Sequence, residues 1–292
     1  MTSATIRVMT EHLPPPELKV TRLLDTGTVA VRNVCCRGSC RHRSAEECSS
    51  HTHLVFPYRG VYLRHVGAEQ SVADANHMLF FNAGEGYQVS HPVDGGDASF
   101  VLALSEPLLR ELAPSAMLQQ RDQLGFQRQH LRIDPRAQAL AAVLRHNLEQ
   151  STIESLEAEG LLLTLVSRSL GPRTSRAPGA TRARQRLVDR AKLLLASDLA
   201  RRWTLADIGA EIGASPVYLT QAFAQVEGVP LYRYQLRLRL ARALDLLLQY
   251  EDLSALALEL GFSSHSHFAA AFKQAYGRSP TEFKLQSMLK SH

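Results

Sequence analysis

The sequence predicts an α+β protein of two domains, an antiparallel β-barrel or sandwich with appended helices followed by a domain made only of helices. Short apolar runs punctuated by glycine fill roughly the first hundred residues, and apolar residues at helical spacing replace them after residue 105. A segment of Gly, Pro, Ser and Thr separates the two halves. With 292 residues, 45% of them hydrophobic, the chain is long enough for two packed cores.

The predicted strands are the runs rich in Val, Phe, Tyr and Leu. They lie at 28–34, 54–58, 61–66, 77–81 and 99–104. A helix is expected to begin at Pro135, because proline suits the first turn and Asp134 before it is a good N-cap. A second helix is expected at 155–170. Both are rich in leucine, so they either pair with a second copy of the chain or pack on their own β-domain.

We place the domains at 1–170 and 182–292, with a linker at 171–181. The net charge is +5, and the whole excess lies in residues 181–292, which hold 15 Arg and Lys against 10 Asp and Glu. A basic half beside a neutral half favours a polyanionic partner, although a solvated Arg-rich helix face gives the same balance. The sequence has no run of eighteen apolar residues and no apolar stretch of a secretory signal at its start, so we expect a cytoplasmic protein that does not enter a membrane.

The C-terminal domain contains an internal repeat. Four pairs of residues match at separations of 48 or 49: Gly213 with Gly261, Phe223 with Phe272, Gly228 with Gly277, and Tyr234 with Phe283. In each copy a short helix, at 205–212 or 254–260, ends at a glycine suited to a left-handed turn, and a second helix follows a serine N-cap. These are the parts of a helix-turn-helix motif.

In such a motif the first turns of the second helix enter the major groove of DNA, so exposed residues there are candidate base readers. With the capping serines they are Ser215, Val217, Tyr218, Thr220 and Gln221 in the first copy, and Ser264, His265, Ser266, Ala269, Ala270 and Lys273 in the second. Gln221 is suited to a bidentate pair with adenine. Two alanines offer little hydrogen bonding, so we expect the second helix to be the less selective reader. Four arginines on the helix between the copies are expected either on phosphate or on a solvated face: Arg233, Arg237, Arg239 and Arg242.

The segment GFSSHSHFAAAFKQAYGRSPTEF carries a family pattern, on which seven residues fall: Gly261, Phe262, Ser264, Phe268, Phe272, Gly277 and Pro280. Through it, residues 185–287 resemble the C-terminal domain of the AraC/XylS family of bacterial transcription regulators. Ala270 departs from the pattern, which usually has a polar or basic residue there. The resemblance implies a regulator that binds double-stranded DNA and contacts RNA polymerase. It also implies a cupin-like β-barrel at residues 20–105 that receives a signal, and helices that form a homodimer, the arrangement we favour.

Cysteine and histidine are concentrated in the β-domain. Thiolate and imidazole bind zinc and other soft metal ions, so the candidate ligands are Cys36, Cys40, Cys48, His51 and His53. Their spacing matches no standard zinc motif, and the alternatives are redox-sensing thiols or inert side chains. The effector, a small molecule or a metal ion, is not identified.

An enzyme is the second interpretation of the β-domain. His51 and His53 resemble the start of a cupin metal motif, but no glutamate follows at the family spacing, and the later histidine is replaced near Tyr87. We therefore expect a regulator without catalytic activity. The alternative is a metal-binding cupin enzyme fused to a DNA-binding tail.

Overall fold

The computed structural model describes residues 18–38, 41–120, 123–171 and 181–289. Its strands are β1 Leu18–Asp25, β2 Val29–Cys36, β3 Glu47–Cys48, β4 His53–Arg59, β5 Tyr62–Val66, β6 Glu69–Ala73, β7 His77–Phe81, β8 Gly86–Ser90, β9 Asp97–Leu104, β10 Leu118–Gln120, β11 Leu124–Phe126 and β12 His130–Arg132. Its helices are α1 Glu106–Leu112, α2 Pro135–Glu149, α3 Ser155–Ser169, α4 Arg182–Ser197, α5 Leu205–Ile212, α6 Pro216–Glu227, α7 Leu231–Leu246, α8 Leu253–Glu259, α9 His265–Tyr276 and α10 Pro280–Leu289. A β-rich N-terminal part followed by a helical C-terminal part confirms the predicted fold class.

Antiparallel pairing divides the strands into sheets. One sheet has six strands in the order β1-β2-β9-β4-β7-β12, a second has four in the order β3-β8-β5-β6, and β10 pairs with β11. The five predicted strands correspond to β2, β4, β5, β7 and β9. Of the two arrangements that the apolar runs allowed, these separate sheets match a sandwich, and the cupin-like barrel stays a prediction.

The central strands of the six-stranded sheet are buried on both faces because their side chains alternate between two cores. Phe56 and Phe80 belong to the core shared with α1, α2 and α3. Their neighbours Val55 and Leu79 belong to the core shared with the four-stranded sheet. Continuous apolar runs are the expected result when neither face of a strand meets water.

Helices α2 and α3 lie on the six-stranded sheet. Pro135 occupies the first turn of α2 and Asp134 accepts a hydrogen bond from the Ala137 backbone N–H, as predicted. Leu144 of α2 and Leu162 of α3 are fully buried in the core against that sheet. The apolar faces expected either to pair with another copy or to pack on the β-domain are therefore covered within the chain.

The C-terminal helices enclose two cores that share one helix. Tyr234 and Leu238 of α7 pack with α4, α5 and α6. Leu244 and Leu247, at the other end of α7, pack with α8 and α9. Since α7 contributes to both cores, it holds the two copies of the repeat in one fixed arrangement.

The two halves of the chain meet through a buried polar cluster of five side chains: Asp74, His77, Lys192, Glu227 and Tyr234. The His77 ring donates to Asp74 Oδ1 at 2.9 Å and to Glu227 Oε2 at 3.2 Å. Lys192 Nζ lies 2.5 Å from Glu227 Oε1, and the Tyr234 hydroxyl donates to Asp74. None of the five is more than 7% exposed. Two acids and two bases therefore pair with one another in a buried cluster, and the nearby buried carboxyl of Asp189 also interacts with Lys192.

The same cluster shifts the titration of its members. Burial and the Lys192 ammonium act to lower the pKa of His77, but the Asp74 and Glu227 carboxylates outweigh them and raise it. Burial acts to raise the pKa of Glu227, yet Lys192 and His77 hold it far below its usual range. Both shifts favour the charged forms, so each charge stabilises its neighbours across the interface.

The predicted linker falls largely outside the described residues, so the division of the chain at 171–181 stays a prediction. Among the described helices, none combines the length and the apolar character needed to cross a membrane.

Candidate nucleic-acid interface

The first helix-turn-helix unit consists of α5 and α6. The Thr204 hydroxyl accepts from the Asp207 backbone N–H at 3.0 Å, and the Asp207 carboxylate accepts from the Thr204 N–H at 3.0 Å, so α5 begins with a capping box. The helix ends at Gly213, whose φ of 68° is left-handed. Both ends are those that the sequence predicted.

Helix α6 presents a mixed face to solvent. Ser215 caps it by accepting from the Tyr218 backbone N–H at 3.2 Å. Leu219 and Phe223 are fully buried on the inner side. All five predicted readers of this copy are exposed: Ser215, Val217, Tyr218, Thr220 and Gln221. Val217 is 68% exposed at the first turn of α6, so the helix presents an apolar side chain to solvent there.

Thr220 adds a second apolar group to that face. Its hydroxyl donates to the Pro216 carbonyl at 2.8 Å within α6. A hydroxyl that is occupied inside the helix leaves the methyl group for contact with a base, and the thymine methyl is its matching partner in the major groove.

Helix α9 is built in the same way with smaller side chains. Ser264 accepts from the His267 backbone N–H at 3.1 Å, and Phe268 and Phe272 are fully buried. Four of the remaining predicted readers are exposed: His265, Ser266, Ala270 and Lys273. Ala269 is half-buried. Among the predicted readers of α9, His265 and Lys273 are thus the two with long polar side chains.

Arg239 has a role that the sequence did not reveal. It is 9% exposed and its guanidinium donates to four backbone carbonyls: Leu199 at 2.7 Å, Arg201 at 2.8 Å, Gly261 at 3.2 Å and Ala200 at 3.3 Å. Three of these oxygens precede the first motif and the fourth lies in the turn of the second. Arg239 therefore ties the two motifs together, whereas Arg233 is exposed.

The predicted metal ligands are dispersed. Cys48 is exposed on β3, the His51 ring contacts Ser50 at 2.9 Å, and the His53 ring contacts Ser49 at 2.8 Å. Burial, Arg32 and His51 lower the pKa of His53 to about 4. Cys40 lies outside the described residues, and Cys36 stands at the end of β2 beside His91 and Asp97.

A family model described as a helix-turn-helix domain matches residues 205–286, from the start of α5 into α10. LumQ, a probable transcriptional regulator of Photobacterium leiognathi, is 25% identical over 226 residues, 74% of this chain and 85% of LumQ. The regulator GadX of Escherichia coli is 33% identical over 92 residues, 31% of this chain and 33% of GadX. The matched segment thus spans most of LumQ but about a third of GadX.

Two solved structures complete the comparison. An AraC-type DNA-binding regulator of Chromobacterium violaceum has a TM-score of 0.34 and 29% identity, over 37% of this chain and 96% of that chain. ToxT of Vibrio cholerae has a TM-score of 0.34 and 13% identity, over 93% of this chain and 98% of that chain.

The matched residues and their transcription-regulator relatives agree with the paired motifs of the structure. Residues 205–286 thus form a helix-turn-helix domain similar to those of transcription regulators.

Proposed function

We propose that this chain binds a specific sequence of double-stranded DNA with α6 and α9 in successive segments of the major groove. The observation that carries the proposal is the contrast between the two faces of α6. Its outer face exposes polar and apolar side chains long enough to contact bases, and its inner face is buried in the core. That arrangement is what a recognition helix needs.

The two helices differ in what they offer a base. Gln221 presents an amide with a donor and an acceptor, which suits the adenine edge. On α9, Ala269 and Ala270 carry no hydrogen-bonding group, and Lys273 is suited to phosphate. Selectivity should therefore come mostly from α6, while α9 adds affinity that depends less on sequence.

The experiment uses the full chain and DNA selected from a random pool. Affinity for the selected duplex and for a scrambled one is measured by fluorescence anisotropy at one fixed salt concentration, since salt changes both values. Gln221→Ala should reduce the discrimination between the duplexes by about 1–3 kcal/mol, the usual worth of a bidentate base contact.

Two variants serve as controls. Gln70→Ala removes an exposed glutamine of β6 and should leave both affinities unchanged. Lys273→Ala should weaken binding to both duplexes equally, because a phosphate contact carries no sequence information. If Gln221→Ala still discriminates between the two duplexes and His265→Ala does not, the selective role belongs to α9 and this proposal is overturned.

The β-domain is the proposed receiver of the signal, a metal ion or a redox change. The buried polar cluster supports this, because it joins the β-domain to α4, α6 and α7. A ligand that binds one arrangement of the two halves more tightly than another shifts the equilibrium between them, by an amount set by the difference in its two affinities. Such a shift would change how α6 and α9 contact DNA.

The proposed partners are a second copy of the chain and RNA polymerase. Because α2 and α3 use their apolar faces internally, a homodimer would have to form on the outer surface, where Leu156 of α3 is 81% exposed. The corresponding location is the cytoplasm, where bacterial DNA lies. The relatives are named as regulators, which supports regulation rather than catalysis.

A further inference from the structure

Three potential metal ligands converge at one end of the core between the two larger sheets. Cys36 ends β2, His91 follows β8, and Asp97 begins β9. One ligand atom of each lies within 4.8 Å of the other two, and His91 Nε2 is 2.8 Å from Asp97 Oδ2. Among the residues that the structure describes, this is the one such group of three or more.

The sheet fixes two of these ligands. Cys36 and Asp97 are direct partners in the antiparallel pairing of β2 with β9, so their side chains leave the same face of the sheet. Val29 and Val31 of β2 face the helices, and by alternation Cys36 faces the other way. Cys35, its neighbour, lies on the helix side, where its sulfur is 3.8 Å from the Tyr58 hydroxyl.

Close packing of the segment after β2 brings it near His91, since a Cβ on Gly38 would lie 3.4 Å from His91 Cδ2. A Cβ on Gly96 would lie 2.3 Å from the Cys36 carbonyl oxygen, and one on Gly38 would lie 2.8 Å from Gly96 Cα. Both glycines have positive φ, at 70° and 66°. The segment after β2 therefore packs directly against the turn that precedes Asp97, and side chains are excluded from the contact.

Burial and charge suit a cation. His91 is 4% exposed and Asp97 is 6% exposed, while Cys36 is half-buried and accepts from the Gly38 N–H at 3.3 Å. A thiolate, a carboxylate and a neutral imidazole together carry two negative charges, which one divalent ion neutralises. Sulfur, nitrogen and oxygen in one site are the donor set of zinc rather than of calcium or magnesium.

We propose that Cys36 Sγ, a ring nitrogen of His91 and a carboxylate oxygen of Asp97 bind one divalent ion of the zinc class. Bond lengths of 2.0–2.3 Å place tetrahedral ligands about 3.3–3.6 Å apart. To reach that range, separations of up to 4.8 Å must shorten and the 2.8 Å between His91 Nε2 and Asp97 Oδ2 must lengthen. Binding releases the Cys36 thiol proton to solvent, and a neutral His91 keeps its proton on the ring nitrogen that does not bind the metal. Two bonds to the metal then replace the hydrogen bond between His91 and Asp97. Three protein ligands leave one tetrahedral position open to a water molecule.

The test uses the full chain, reduced and treated with a chelator. Co²⁺ is added as a spectroscopic probe and then displaced with Zn²⁺. We expect one Co²⁺ per chain, a thiolate-to-cobalt charge-transfer band, and d–d bands of tetrahedral intensity. A wild-type protein that binds no Co²⁺, or binds it without the thiolate band, overturns the proposal, and this outcome requires no variant that has to fold.

Variants then assign the ligands. Cys36→Ser, His91→Gln and Asp97→Asn should each weaken binding by at least about 100-fold, more than the usual effect of a residue that only orients a ligand. Cys35→Ser is the matched control and should change nothing, because its sulfur faces the helices. Binding lost in Cys48→Ser or His53→Ala but kept in Cys36→Ser would place the metal elsewhere and overturn the assignment.

Cysteine alkylation separates the metal site from a reactive thiol. If Cys36 reacts rapidly in the metal-free chain, slows in His91→Gln and is indifferent to Zn²⁺, the group is a nucleophilic or redox thiol and the proposal fails. Protection of Cys36 by one equivalent of Zn²⁺ supports it. None of these measurements involves DNA, so their result is independent of the proposed base reading.

Discussion

Gly213 and Gly261 occupy matching places in the repeat, yet their surroundings predict different responses to the same substitution. Both have left-handed backbones, with φ of 68° and 78°. A Cβ on Gly213 would meet nothing within 4 Å, whereas one on Gly261 would lie 2.2 Å from the Ala200 carbonyl oxygen and 2.8 Å from Ala200 Cα. Those are backbone atoms, which cannot rotate away as a side chain does.

The magnitudes follow from these environments. A left-handed alanine costs about 1–2 kcal/mol, and the loss of unfolded-chain freedom returns about 0.4–1 kcal/mol. Gly213→Ala should therefore lower the free energy of unfolding by about 1 kcal/mol. Gly261→Ala bears the same backbone cost and adds an overlap worth about 1–3 kcal/mol, for a total of about 2–4 kcal/mol.

Urea unfolding followed by tryptophan fluorescence measures the difference. Trp203 is the single tryptophan of the chain and lies between α4 and α5, so its signal reports the DNA-binding domain. Gly213→Ala is the matched control for the backbone cost. Equal losses in the two variants would show that Ala200 and Gly261 are not in contact in the native protein, and the reasoning would fail.

Three further results are expected. Glu227→Gln removes the carboxylate paired with the buried Lys192 ammonium and should lower the free energy of unfolding, measured in urea, by about 3–5 kcal/mol. The double variant Glu227→Gln, Lys192→Met should lose less than the sum of the losses in the two single variants. Additive losses would show that the two side chains are not coupled. Because the pKa of His77 is raised above 6.5, its stabilising charge is complete below pH 6.5 and is lost as pH rises through the pKa of the folded state. As pH rises above 6.5, the free energy of unfolding of the wild type should therefore fall more than that of the His77→Gln variant. Equal pH dependence of the two free energies would contradict this. Zn²⁺ at 100 times its Kd should stabilise the wild type by about 2.7 kcal/mol in thermal melts, with no effect on Cys36→Ser.

Local signals predicted the helical half well. The turn glycines, the serine caps and the buried residues four apart, Leu219 with Phe223 and Phe268 with Phe272, act within a few residues of one another, so their spacing alone locates α5, α6 and α9. The five predicted strands are buried on at least one face and consist of apolar runs. Strands β1 and β6 carry exposed polar residues, which gives them no apolar run to detect.

Contacts between distant residues were the part that spacing could not supply. Asp97 is 61 residues from Cys36, and only the register of β2 against β9 makes them neighbours. Arg239 looks like the other arginines of α7 in the sequence. Its side chain is buried because four carbonyl groups from other segments converge on it, and the sequence does not show that they do.

The helix shared by both cores has a consequence for the arrangement of bases in the operator. Helix α7 and the hydrogen bonds of Arg239 fix α6 relative to α9. If both helices read DNA as proposed, the separation of the two stretches of bases is therefore a constant of the protein. Each base pair inserted between those stretches turns the far one by about a tenth of a helical revolution, given 10–10.5 base pairs per turn. A few inserted pairs would therefore carry one stretch out of reach, and an insertion of a full turn would restore its direction but leave it about 34–36 Å too far along the duplex.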